Sequence, residues 1–214
     1  FSYKDIDFVW GSVEGSVSAM YGGRISPEAE LSHEDVSWLY DNNIGVKIPL
    51  STVYFDEEQY TQTKKLLSEY HRKGNAIIVS TEVLAKRIRE DFPLYKIELS
   101  AVKDIYNQKK LDSIDRSLFD TIVFPMCANN DLEFLKSVAD KDQIRLFSNV
   151  ECSYSCPNKV CYTSISKINK DGQHEDMKCS WYTYNLPRTF SRSDVDMSLF
   201  SNKNDSTAWE KLVF

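Results

Sequence analysis

Six short runs rich in β-branched and aromatic residues recur before residue 150, and a capped or amphipathic segment separates each from the next. They are IDFVWGS (6–12), IGVKIPL (44–50), AIIVS (76–80), YKIEL (95–99), TIVFP (121–125) and QIRLFSN (143–149). Between them, Ser32 is an expected N-cap with Asp35 completing a variant capping box. The stretch 56–74 begins acidic, ends basic and places Gly74 at the expected C′ position. A helix over 83–92 stops before Pro93, a helical stretch is expected around 104–108 with a second apolar pattern over 111–119, and an Asn cap is expected before a helix in NNDLEFLKSVA. Strands that alternate with helices in this way specify βαβ units and a parallel sheet. Two architectures remain: most of a (β/α)8 barrel, or a doubly wound sheet.

Side-chain parity separates them. In YKIEL, Tyr95, Ile97 and Leu99 point one way and Lys96 and Glu98 the other. Lys47 lies opposite Val46 and Ile48, and Arg145 opposite Ile144 and Leu146. A sheet covered by helices on both faces has central strands that are apolar on both sides. Charges on one side of three strands suit a barrel with a polar lumen; the competing reading is solvated strand-end charge. The expected fold is therefore an α/β, (β/α)8 TIM-like barrel. Its seventh and eighth units are reduced or irregular, since the pattern weakens after residue 161, where one strand, a short helix from Ser193 and a final strand in AWEKLVF (208–214) suggest themselves. At 214 residues the chain is expected to be one domain, 1–214, with an irregular cysteine-bearing segment at about 149–190.

The formal net charge of -6 argues against a broad nucleic-acid surface. No apolar run reaches membrane-spanning length and no signal peptide is visible, although the chain begins at Phe1. The cytoplasm is the expected compartment, and no membrane partner is expected. In a reducing compartment, grouped cysteines more often mean metal or catalysis than a disulfide framework.

Five cysteines are present, and three fall within NVECSYSCPNKVC (149–161). Cys152, Cys156 and Cys161 have C-x3-C-x4-C spacing, Cys179 follows 18 residues later, and Cys127 stands apart. The group lies just past the sixth strand, at the end of a parallel β/α sheet where ligand sites are found. Four thiolates, with Pro157 stiffening the turn, suit zinc or a 4Fe–4S cluster. A triplet plus one distant cysteine is commoner for iron–sulfur ligation than for structural zinc. Buried thiols or an adventitious disulfide are the plainer alternatives, and His174 is an alternative fourth ligand to Cys179. The C-x3-C-x2-C motif of radical SAM enzymes differs in its second spacing and follows a first strand, so that reading is rejected.

VWGSVEGSVSAMYGGR (9–24) followed by LSHEDVSWLYDNNIGVKIPLS (31–51) resembles the opening of the collagenase-like peptidase family U32, in its short U32-like branch. Asn149, Cys152, Cys156, Pro157 and Lys159 match that family's N-x-x-C-x3-C-P-x-[RK] stretch, and RSDVDM (192–197) to AWEKLVF is similar to its closing segment, without the terminal arginine. The resemblance implies a (β/α)-barrel holding a 4Fe–4S cluster through Cys152, Cys156, Cys161 and Cys179. It also implies oxygen-independent hydroxylation, of RNA bases or quinone precursors in characterised relatives. The hydroxylase branches space their first two cysteines more widely.

Gly22, Gly23 and Arg24 follow the first strand, where an arginine can grip a carboxylate or phosphate; a glycine turn with a solvated arginine is the plainer reading. Glu98, by its inward parity, is preferred over Glu82 as an acid or base. Arg188, His33 and His71 read as surface or structural residues. No hydrolase-triad, zincin, Walker or Rossmann motif occurs, so nothing supports proteolysis. The expectation is an iron–sulfur oxidoreductase or hydroxylase acting on a small anionic molecule or a nucleobase. Arg24 and Glu98 would be catalytic, and Lys47, Arg145 and Asn149 would bind substrate. The rival is a non-catalytic binding protein on a barrel remnant, with a structural zinc or no metal.

Overall fold

The computed structural model describes residues 3–14, 20, 30–129 and 131–147, together with the backbone of 149–150 and 191–192. Six parallel strands form one sheet in sequence order: β1 (Phe8–Trp10), β2 (Gly45–Leu50), β3 (Ala76–Val79), β4 (Lys96–Leu99), β5 (Thr121–Val123) and β6 (Ile144–Arg145). The intervening helices are α1 (His33–Asp41), α2 (Glu57–Glu69), α3 (Glu82–Asp91), α4 (Gln108–Asp112) and α5 (Leu132–Ser137). This is a half-barrel of βα units, the repeating pattern expected from the sequence. Two further short strands, β7 (Asn149–Val150) and β8 (Ser191–Arg192), pair antiparallel with each other.

Local chemistry sets the helix ends. Ser32 accepts from the Asp35 amide while the Asp35 carboxylate accepts from the Ser32 amide, which is the expected capping box. Asp56 and Thr81 cap α2 and α3. Three expectations are corrected. The C-cap of α2 is Tyr70, and Gly74 instead occupies a later turn in which the Asn75 amide donates to Arg72 O; its φ of +103° explains the glycine. No helix spans 104–108: Asp104 is left-handed at φ 63°, and α4 starts only after the Asn107 cap. Asp131 rather than an asparagine caps α5, accepting from the Phe134 amide at 3.0 Å. Asn129 is buried instead, and donates to Phe147 O at 2.6 Å.

The core lies between the sheet and its helices. Val46, Ile48, Leu50, Ile77, Val79, Ile97, Leu99, Ile122 and Ile144 pack there with Val36, Leu39, Tyr60, Leu67, Leu84, Ile88 and Leu135. These strand residues are the outward half of each period-two alternation. Polar pins hold the ladder in register. Asn75, fully buried, accepts from the Val46 amide at 2.9 Å and donates to Tyr70 O at 2.9 Å and to the Tyr40 hydroxyl at 2.6 Å. Asp120 accepts from the Ile97 amide at 2.8 Å and from Arg89 at 2.7 Å, fastening α3 to the start of β5. Once the outward residues fill the core, the remaining strand residues must face the opposite, concave side.

Candidate functional site

Every charged residue of the six-stranded sheet lies on that concave side: Lys47, Lys96, Glu98 and Arg145. Lys47 Nζ donates to Glu98 Oε2 at 2.6 Å, and Arg145 Nη1 donates to the same oxygen at 3.2 Å. These three side chains come from β2, β4 and β6. Contacts that skip a strand in this way are favoured on the inside of a curved sheet, where side chains converge.

Their register explains how they meet. Lys47 is level with Ala76, and Ala76 with Lys96, so Glu98 lies two residues further along β4. Glu98 is level with Thr121, and Arg145 with Val123, again two residues further on. Two residues over two strands is one residue per strand. An eight-stranded barrel of shear 8 has this stagger, and alternate strands contribute the side chains of one interior layer. Lys47, Glu98 and Arg145 therefore form a single charged layer on the concave face of the half-barrel.

The layer is largely buried and, among the described strand residues, unbalanced in charge. The Lys47 and Glu98 side chains are 4% and 5% exposed, so the reading of these charges as solvated strand ends is excluded for both. Arg145 keeps 23% of its side chain accessible. Burial holds the Lys47 amine below the ordinary lysine value; Glu98 opposes this, while Arg145 and Lys96 add to it by repulsion. Among the described strand residues, three cations thus share the concave face with one carboxylate. Such an arrangement gives little net stability, because desolvation consumes most of the attraction. Its chemical capacity is to hold a negative charge in a low-dielectric interior.

The aromatic lining was not singled out from the sequence. Phe8 and Trp10 pair in register with Gly45 and Lys47 and so share the concave side. Lys47 Nζ sits 4.8 Å from the Phe8 ring centre, and Lys96 Nζ 5.9 Å. The signal was present in the alternation of FVW, whose flanking aromatics must share a face.

Among the expected site residues, Lys47, Glu98 and Arg145 are brought together. Asn149 is placed only by its backbone, at the start of β7, where it pairs with Arg192. Gly22, Gly23, Arg24, Cys152, Cys156, Cys161, Cys179, His174 and Arg188 lie outside the described residues. Both ends of the segment 151–190, which carries all four grouped cysteines, join the β7–β8 ladder. That ladder begins four residues after Arg145.

The remaining candidates have structural work. Glu82 accepts from the Asp115 amide at 2.7 Å. His71 Nε2 accepts from the Leu94 amide at 3.0 Å, its ring against Phe92 and Tyr95. His33 bridges Glu14 and Glu69 on the surface at 2.9 and 2.5 Å.

No protein-family model matches the chain, and no curated protein matches it. Among solved structures, that of the U32 peptidase Mk0906 superposes with a TM-score of 0.63 at 14% identity, covering 90% of this chain and 80% of that one. At this identity the similarity is one of fold: the chain has a U32-like fold. No helix among the described residues is long and apolar enough to cross a membrane.

Proposed function

We propose that the chain is a U32-like barrel enzyme that binds a small anionic molecule or a nucleobase at its charged interior layer. There it carries out an oxygen-independent hydroxylation or related redox modification. The observation that carries this reading is the Lys47–Glu98–Arg145 layer, which among the described strand residues leaves excess positive charge around a buried ion pair on the concave face. Glu98 fixes the heads of Lys47 and Arg145, so the donors are oriented before a ligand arrives. Burial excludes water and strengthens their field on an incoming anion. Arg24 and Asn149 are assigned to the same mouth because one follows β1 and the other follows β6.

The donor set of the segment 151–190 fits a 4Fe–4S cluster: four thiols, carried by a stretch whose two ends meet at one ladder. Cys152, Cys156, Cys161 and Cys179 would hold it. Such a cluster supplies one-electron redox chemistry when bound. A cytoplasmic setting suits these thiols.

Cys156→Ser tests the assignment. Loss of colour and activity with the fold retained supports the enzyme. Loss of fold in a protein that never had a chromophore overturns it in favour of a structural zinc staple.

A further inference from the structure

We infer that Trp10 is a stacking platform of the interior site, and that the molecule it takes is a planar aromatic ring carrying a carboxylate or phosphate. The acidic half of this rests on the anion-binding reading above; the aromatic half rests on Trp10 itself. Trp10 is the last residue of β1 and is paired in register with Lys47, which fixes it to the concave side beside the charged layer. Ligands of parallel β/α barrels sit at this end of the strands.

The two aromatic residues of β1 differ in what they meet. Phe8 has cations over its ring. Trp10 leaves 42% of its surface exposed, and among the described residues no ring or cation covers it.

An exposed indole on a sheet's inner face is costly in water and useful under a flat ring. Stacking on it is tolerant of ring identity, since every aromatic ring has a π-face. Arg145 has one Nη1 contact to Glu98 and remains partly accessible, so its planar fork can take the acid group.

Benzoate and cyclohexanecarboxylate share charge and approximate size and differ in planarity, so their affinities for the full chain isolate the ring. Benzoate is expected to bind at millimolar concentration or below and to shift the indole N–H resonance that disappears in Trp10→Leu. Cyclohexanecarboxylate is expected to bind about tenfold more weakly. Trp10→Leu should bring the two acids close to equal affinity, Trp10→Phe should keep part of the preference, and Arg145→Met should weaken both alike. Equal binding of the two acids to the unmodified chain, or a preference untouched in Trp10→Leu, overturns the role of Trp10 and leaves the anion site standing. Failure of both acids to bind, or binding indifferent to Arg145→Met, overturns the anion site and this inference with it.

Discussion

Lys47 and Glu98 stand two strands apart in the sheet, yet their charged atoms are 2.6 Å from each other and both side chains are buried. Removing one partner strands the other. Glu98→Leu should destabilise the chain by about 3–5 kcal/mol, because Lys47 is left buried without its carboxylate. The double variant Lys47→Met with Glu98→Leu should recover most of that loss. Urea midpoints of the two variants check this; a single variant as stable as the parent would contradict the buried pair.

The depressed Lys47 value has a pH consequence with a definite sign. The folded chain holds this proton less tightly than the unfolded chain, whose lysines titrate near about 10.4. Stability from this group is therefore full above that value and is lost as pH falls through the folded value. Between the two, the unmodified chain should gain stability with rising pH, and Lys47→Met should lack the gain. Denaturation curves collected across the alkaline range decide it.

His33 behaves oppositely. Hydrogen bonds to Glu14 and then Glu69 hold its imidazole above the usual histidine value. Its stabilising effect is full below about 6.5 and fades as pH rises through the folded value. The measurement is an NMR titration of the His33 ring, whose midpoint should fall in Glu14→Gln and further in the double variant with Glu69→Gln. A His33 midpoint unmoved by either change would contradict the bridge.

Gly45 is glycine because of a close approach. A Cβ there would run into Gly74 O, a backbone atom, and would lie 2.8 Å from Phe8 Cδ1. Gly45→Ala should cost about 3 kcal/mol or more, as overpacking against backbone does. Thermal unfolding measures it, with Gly11→Ala, which meets nothing, as the neutral comparison.

Much of this was legible in advance, for physical reasons. The alternation in KIEL, GVKIPL and QIRLF places Glu98, Lys47 and Arg145 on one side of their strands, and a period of two admits no other arrangement once the apolar half faces helices. What parity cannot supply is the stagger between strands. That Lys47 reaches Glu98 rather than the level Lys96 depends on barrel tilt, a property of six strands together. Helix starts were legible where a short polar side chain has one obvious role, as at Ser32. They were misplaced before α5, where Asp131 caps in place of an asparagine, and at Asp104, where a left-handed turn overrides local preference. Trp10 enters the sequence reading only within IDFVWGS and VWGSVEGSVSAMYGGR, and the exposure that separates it from Phe8 depends on packing that the alternation does not specify.

The most direct test of the account is made on the full chain purified without air, with a visible spectrum and with iron, sulfide and zinc assayed on one sample. A brown protein with broad visible absorption and about four irons per chain is the predicted result. A colourless protein, whether it holds one zinc or no metal, would contradict it.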